Sequence, residues 1–271
     1  MPDAIADWDD AYANMAHIPY ADSFLDRWPI EAQAFREAVN CELDIPYDDG
    51  ERNRFDLFFP DSAPKGLFVF IHGGYWIRFD KSFWSHYAAG PMANGWAVAM
   101  PSYDLCPDVS VADITRQISN AIASTAERID GPIILSGHSA GGHLVSRQVC
   151  EDSHLPGNVL ERIRRVISIS GVHDLRPLLK VGYNETIRLN EEMAWAESPA
   201  LLKPLANTTL DCVVGAIERP EFCRQNDLLA NIWHGLGAAT ASHHIDGKHH
   251  FDVIDDLKNQ NGLICQLADQ Q

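Results

Sequence analysis

The stretch Ile133-Ile-Leu-Ser-Gly-His-Ser-Ala-Gly-Gly-His143 places Ser139 between an apolar segment and a helical one. Its Gly-x-Ser-x-Gly spacing is typical of a nucleophile elbow, a sharp strand-to-helix turn that exposes the serine hydroxyl at the end of a sheet. A side chain at Gly137 or Gly141 would collide with neighbouring backbone in so tight a turn. The following helix directs free backbone N–H groups, beginning with that of Ala140, at a developing oxyanion. The stretch therefore predicts that Ser139 is a nucleophile.

Short apolar runs, each followed by a turn and a longer helical pattern, recur on both sides of this stretch. Continuously apolar strands that alternate with helices predict a parallel sheet covered on both faces. The predicted strands are Leu67 to Ile71, Trp96 to Met100, Ile133 to Leu135, Val166 to Ile169, Cys212 to Val214, and a weaker one leading into His243 to Asp246.

Two further features complete the predicted outline. The segments Glu42 to Tyr47 and Arg54 to Phe59 flank Asp48-Asp-Gly50, which is typical of an antiparallel hairpin. A core-facing helix is predicted from Val111 to Ile129, with Ser110 as its N-cap. A hairpin followed by a parallel series resembles the α/β-hydrolase fold: a mostly parallel central sheet, an N-terminal antiparallel hairpin and helices on both faces.

The 271 residues suit one domain of this kind. Residues 1–40 predict a helical segment, clearest from Ile30 to Val39, that either covers the site as a lid or contacts a partner subunit. Residues 174–204 interrupt the strand series and predict a small cap. A homodimer is therefore compatible with the sequence.

Composition excludes several classes of protein. The formal charge of −17, from 38 acidic and 21 basic residues, opposes binding to nucleic acid or to an anionic membrane. No apolar stretch approaches the ~18 residues that span a bilayer, and the N-terminus lacks the pattern of a secretory signal. Six scattered cysteines favour reduced thiols. We expect a cytoplasmic protein.

A second glycine motif, His72-Gly-Gly-Tyr-Trp76, follows the first predicted parallel strand. A tetrahedral intermediate needs backbone N–H donors that converge from different chain segments. One donor comes from the residue after the nucleophile and another from the loop after the third strand. The two motifs occur in the expected order and predict an oxyanion hole.

Together these two motifs resemble the arylformamidase (kynurenine formamidase) branch of the α/β-hydrolase esterases, which carries His-Gly-Gly-x-Trp where many lipases carry a third glycine. The resemblance extends to Val213 to Gln225 and His250 to Ile254, and so covers roughly residues 40–258. In that family the second glycine and the next residue donate the oxyanion N–H groups. The resemblance thus implies Gly74 and Tyr75 as donors beside Ala140.

The general base must be a late histidine, because the triad order in this fold is serine, acid, histidine. His243 and His244 lie within the last predicted strand, whereas His249 and His250 follow a glycine-containing loop and precede a helix predicted from Phe251 to Leu257. The residues alone leave these two neighbours open. The resemblance favours His250, because the family's base directly precedes the phenylalanine.

The acid must follow the strand Cys212 to Val214. Glu218 lies three residues beyond the strand-end Gly215, the usual position in this fold, although related families more often carry aspartate there. Glu221 and Asp227 are the alternatives. Glu221 would also suit the first turn of a helix, where a carboxylate complements the helix dipole.

The bulk of Tyr75 and Trp76 predicts contact with substrate and a narrow acyl side. Arg78 and Lys81 are expected to be solvated, with substrate carboxylate binding the less favoured role. The sequence predicts no metal site and no cofactor, since it lacks a ligand cluster at metal-binding spacing. The leading hypothesis is a serine hydrolase of the arylformamidase type. A short-chain carboxylesterase or thioesterase and a non-catalytic scaffold are the alternatives.

Overall fold

A twisted eight-stranded sheet forms the centre of the computed structural model, which describes residues 5–270. The strands follow the order β1-β2-β4-β3-β5-β6-β7-β8. They are β1 (Cys41–Pro46), β2 (Arg54–Phe58), β3 (Leu67–Ile71), β4 (Ala97–Pro101), β5 (Ile133–His138), β6 (Ile163–Ile169), β7 (Thr209–Gly215) and β8 (Ala239–Ile245). Only the pairs β1–β2 and β2–β4 are antiparallel within the described residues. The predicted fold class is confirmed.

Helices connect these strands and cover both faces of the sheet. The α-helices are α1 (Trp8–Tyr12), α2 (Ala21–Ala38), α3 (Ala89–Ala93), α4 (Val111–Ala126), α5 (Ala140–Arg147), α6 (Gly157–Leu160), α7 (Asn184–Ile187), α8 (Glu191–Ala196), α9 (Pro220–Gly235) and α10 (Leu263–Asp269). Six 3₁₀ helices accompany them in the described chain: Asn14–His17, Lys81–Phe83, Ser85–Ala88, Arg176–Lys180, Pro199–Leu201 and Val253–Lys258.

Strand β3 shows why the strands are continuously apolar. All five of its residues are buried, because successive side chains point to opposite faces and both faces are covered. Leu67, Val69 and Ile71 pack into a core shared with α4, α5 and α9. Phe68 and Phe70 pack into a second core shared with α2 and α10. The sheet is therefore a rigid platform for the loops at its carboxyl edge.

Two local predictions differ from the structure. Helix α2 begins at Ala21, well before Ile30, and contains Pro29 in its interior. The helix predicted from Phe251 to Leu257 is a 3₁₀ helix that begins at Val253.

The two irregular regions of the sequence form short helices. Residues 174–204, predicted as a cap, form four short helices between β6 and β7. Of residues 1–40, those from Ile5 onward are described and contain α1, a 3₁₀ turn and α2, whereas residues 1–4 lie outside the described part. Within the described residues, no helix is long and apolar enough to cross a membrane.

Candidate active site

Ser139 lies at the junction of β5 and α5 in a strained conformation, with φ 56° and ψ −117°. Such a conformation costs about 1–3 kcal/mol and persists only when the surrounding structure enforces it. A Cβ on Gly137 would lie 2.3 Å from the Gly141 carbonyl oxygen, and one on Gly141 would lie 2.0 Å from that of Ile71. Both glycines are therefore required by the close approach of backbone, as the nucleophile-elbow pattern predicts.

Unpaired backbone donors lie on both sides of Ser139. Within residues 5–270, the N–H groups of Gly74, Tyr75 and Ala140 donate to no protein acceptor. Ala140 is the first residue of α5, so its N–H has no partner inside the helix. The loop that carries Gly74 is closed by a hydrogen bond from Ile77 N to Gly74 O of 3.0 Å. These three groups are available to an oxyanion.

His250 and Glu218 form a buried hydrogen-bonded pair. His250 Nδ1 lies 2.7 Å from Glu218 Oε2. The other carboxylate oxygen, Oε1, accepts hydrogen bonds from Ser170 Oγ at 2.5 Å and from Gly215 N at 2.8 Å. Both oxygens of Glu218 are thus occupied and the carboxylate is fixed in orientation. This arrangement holds the imidazole with Nδ1 protonated and Nε2 available as an acceptor.

Ser139 and His250 line the same cavity and are both almost fully buried. Among the hydrogen bonds of the described residues, none joins Ser139 Oγ to His250. Catalytic hydrogen bonds are often long or poorly aligned until substrate binds. The structure thus brings the predicted nucleophile and base to one site.

The alternative acids and the alternative base lie elsewhere. Glu221 accepts hydrogen bonds from Tyr12 Oη at 2.9 Å and from Arg224. Asp227 lies on the far side of α9, where it contacts Ser242 and His244. The ring of His249 pairs with Asp252 and packs on Phe24 instead of facing the cavity. Of the candidate acids, only Glu218 pairs with a histidine that lines the cavity at Ser139.

His138 makes a buried contact with His250 that the sequence did not predict. Its Nε2 lies 2.8 Å from the backbone oxygen of His250, and the two rings are 4.6 Å apart. Burial, followed by the nearby His250, lowers the pKa of His138 well below its usual value. A neutral His138 can therefore donate to the His250 carbonyl and hold the loop that carries His250.

A cavity of about 270 Å³ opens at Ser139. Its volume lies just below the ~300–1,000 Å³ typical of small-molecule sites. One part of the lining comes from the ends of the sheet strands and the loops after them: Gly73, Gly74, Tyr75, Arg78, Phe79, Trp84, His138, Ser139, Tyr183, His250 and Phe251. The rest comes from the N-terminal segment: Tyr12, Ala13, Asn14, Met15, Ala16, Leu25 and Trp28.

Trp76 does not take the predicted position against substrate. Its side chain is fully buried in the core, where its ring packs edge-on against His143, 5.1 Å away, and it does not line the cavity. Its carbonyl accepts a hydrogen bond of 2.8 Å from Cys106 N, which anchors the oxyanion loop. Tyr75 does line the cavity. The expectation of a solvated Lys81 is also wrong, because that side chain is buried against Asp56.

Within residues 5–270 no group of three or more His, Cys, Asp or Glu side chains is arranged to hold a metal ion. The groups that the structure brings to the cavity are a serine, a histidine paired with a carboxylate, and convergent backbone N–H groups. This set of groups can perform acyl transfer to serine.

Comparison with known proteins agrees with this class of site. The model of the Alpha/beta hydrolase family matches residues 68–255. The chain therefore belongs to the alpha/beta hydrolase family.

Within that family, the chain is 30% identical to a kynurenine formamidase of Salmo salar over 83% of this chain and 80% of that protein. It is 27% identical to a kynurenine formamidase of Danio rerio, over 86% of this chain and 82% of that protein. These similarities place it in the arylformamidase-like branch, as the motifs indicate.

Two solved structures extend the comparison. A Silicibacter sp. TM1040 protein, provisionally described as a thioesterase, superposes with a TM-score of 0.91 and 45% identity, over 96% of this chain and 98% of that one. A hyperthermophilic esterase of Pyrobaculum calidifontis superposes with a TM-score of 0.70 at 16% identity, over 91% of this chain and 90% of that one. The second likeness concerns the fold alone.

Proposed function

We propose that this chain is a cofactor-independent serine hydrolase that cleaves a small ester or an N-formyl arylamine in the cytoplasm. The observation that carries the proposal is the His250–Glu218 hydrogen bond of 2.7 Å at the edge of the cavity that also exposes Ser139. The similarity to kynurenine formamidases supports the formamide as substrate.

The reaction proceeds in two steps. Ser139 Oγ attacks the carbonyl carbon while its proton passes to Nε2 of His250, and Glu218 stabilises the resulting imidazolium. The N–H groups of Gly74, Tyr75 and Ala140 bind the oxyanion of the tetrahedral intermediate. Collapse of this intermediate breaks the bond to the amine or alkoxide, which takes the proton from His250.

Deacylation reverses these roles. The formyl or acyl group is now esterified to Ser139 Oγ, and His250 removes a proton from the attacking water. The second tetrahedral intermediate releases the carboxylic acid and returns the proton to Ser139. Each step uses a nucleophile, one group that accepts and then donates a proton, and an oxyanion hole.

The small cavity supports a short acyl group. Tyr75 and the N-terminal segment narrow it, in place of the pair Tyr75 and Trp76 expected from the sequence. Forcing an additional methylene into a filled pocket costs about 1–3 kcal/mol, so selectivity should increase steeply over a few carbons.

A short-chain carboxylesterase or thioesterase is the second candidate, favoured by the likeness to the Silicibacter structure. The test is kcat/KM for formyl, acetyl, butyryl and octanoyl esters of one phenol, with acetyl thioester and N-formylkynurenine alongside. We expect turnover of the formamide and a preference for formyl and acetyl esters. Preference for octanoyl, or esters turning over without the formamide, would reject the arylformamidase and favour the alternative.

A further inference from the structure

Arg78 is an unpaired cation at the cavity beside Ser139. It lines the cavity, its side chain is exposed, and its guanidinium makes no hydrogen bond or ion pair within residues 5–270. Over the same residues, every other arginine except Arg188 has such a partner. Arg188 does not line the cavity. Of the arginines in the described residues, Arg78 is therefore the one that both lacks such a partner and lines the cavity.

The charge of Arg78 differs from the rest of the cavity lining. No aspartate or glutamate lines the cavity, and apart from Arg78 and the histidines its walls are uncharged and largely aromatic. An apolar site with few polar groups uses those groups to fix the orientation of its ligand. Among the lining residues outside the catalytic set, Arg78 carries the permanent charge, and a cation favours a ligand with a negative charge.

The backbone next to Arg78 is firmly held. Arg52 donates hydrogen bonds to the carbonyl oxygens of Tyr103 and Phe79, the residue that follows Arg78. Phe79 has a φ of 72°, which turns the chain sharply at this point. The side chain of Arg78 can therefore move to meet a ligand while the backbone of its loop stays in place.

The aromatic residues Tyr75 and Tyr183 lie close to Arg78. Their rings pack with centroids 4.7 Å apart in the cavity wall. Burial raises the pKa of the Tyr183 phenol, and the positive charge of Arg78 opposes this shift. The cation therefore lies within electrostatic reach of the wall against which a flat substrate would stack.

We propose that Arg78 binds a carboxylate carried by the substrate, so that the preferred substrates are aromatic formamides or esters with an anionic side chain. The planar guanidinium matches a carboxylate bidentately, with the aromatic part in the cavity and the scissile carbonyl at Ser139. This inference rests on the proposed function.

Binding to a protein that cannot turn over separates this inference from catalysis. The probes are 3-phenylpropanoate and its neutral amide, titrated calorimetrically into Ser139→Ala protein at ~0.1 M salt. The acid should bind about 5–30-fold more tightly than the amide, as expected of a charge-assisted hydrogen bond. Adding Arg78→Gln should remove this preference, and Arg78→Lys should restore part of it. Adding Arg164→Gln instead removes one positive charge near the first residue of β6. This charge-matched control should leave the preference for the acid unchanged.

Kinetic measurements on protein that retains Ser139 provide the second test. Arg78→Gln should lower kcat/KM for 3-(4-acetoxyphenyl)propanoate about 5–30-fold and that for its amide by less than about two-fold. Equal losses for both substrates, or an acid that binds no more tightly than the amide, would overturn the role of Arg78. Failure of the wild-type protein to hydrolyse either ester would instead overturn the proposed function, while the binding arm would still decide on Arg78.

Discussion

The cavity has two walls of different origin. One wall carries the proposed reacting groups, Ser139 directly after β5 and His250 in the loop that follows β8, and each lies in a short motif visible in the sequence. The other comes from the N-terminal segment, including Tyr12 and Trp28, whose sequence carries no such motif. The difference indicates that the chemistry is encoded locally, whereas the shape of the site is encoded by packing between distant segments.

The N-terminal wall is nevertheless tied to the catalytic one. Tyr12 Oη donates to Glu221 Oε1 at 2.9 Å, and the Tyr12 carbonyl accepts from Tyr75 Oη at 2.6 Å. Trp28 packs against Trp84 and Phe251, with ring centroids 4.8 Å and 5.1 Å away. A change in the N-terminal wall is therefore expected to reach the oxyanion loop through Tyr75.

Removing the nucleophile should have the largest effect. Ser139→Ala should lower kcat by about 10⁵–10⁶-fold, and so should His250→Ala, with the double variant no worse than either one. The measurement is kcat for one phenyl ester. Additive losses would show that the two residues do not act as a unit, and full activity in His250→Ala with collapse in His249→Ala would reassign the base.

Substituting Glu218, the proposed triad acid, and Glu221, which contacts the N-terminal wall, compares the two walls more sharply. Glu218→Gln should lower kcat about 10⁴-fold with the fold intact, because the imidazole loses its orienting carboxylate. Glu221→Gln should chiefly raise KM, because Glu221 contacts Tyr12 rather than His250. Both variants lose one buried carboxylate, so each serves as the control for the other. The reverse pattern would move the triad acid to Glu221.

A change at Trp28 tests the shape of the cavity separately from its chemistry. Trp28→Ala enlarges the cavity, so the ratio of kcat/KM for butyryl over acetyl ester should rise about 10-fold or more. The substitution also costs about 3–5 kcal/mol of stability, and Trp28→Phe offers a milder variant with a smaller shift in the same direction. An unchanged ratio in both folded variants would exclude Trp28 from substrate selection.

The smallest expected effect is the loss of stability at lower pH that comes from three buried histidines. Burial lowers the pKa of His72 to about 4 and those of His143 and His173 to about 3. The unfolded chain, with pKa values near 6.5, binds more protons over this range, so stability falls as the pH falls.

Each of these histidines should contribute about 1 kcal/mol to the loss of unfolding free energy between pH 7.5 and 5.5. Urea denaturation at the two pH values measures the difference. His143→Gln, which does not titrate, should reduce the pH-dependent loss by about that amount. Equal stability at both pH values would contradict neutral burial of these histidines.

The sequence predicts the fold well because its signals are local. The apolar runs mark β3 through β7 within a few residues, since strands buried on both faces must be apolar along their length. A Cβ at either glycine around Ser139 would lie only 2.0–2.3 Å from a backbone oxygen atom. These positions therefore require glycine, and the motif specifies its own geometry.

The parts that were missed depend on tertiary context. Pro29 suggests a break, yet α2 continues through it, because packing of Trp28 and Ala32 into the core outweighs the lost hydrogen bond. The burial of Trp76 depends on His143, 67 residues further along the chain. No periodicity within either segment indicates such a contact.

The most direct test of the catalytic account is labelling of the folded protein with a fluorophosphonate, followed by mass spectrometry of its peptides. We expect one adduct, on the peptide that contains Ser139; it should be absent in Ser139→Ala and should form much more slowly in His250→Ala. A folded protein that forms no adduct, or forms it on another serine, would contradict the claim that Ser139 is an activated nucleophile.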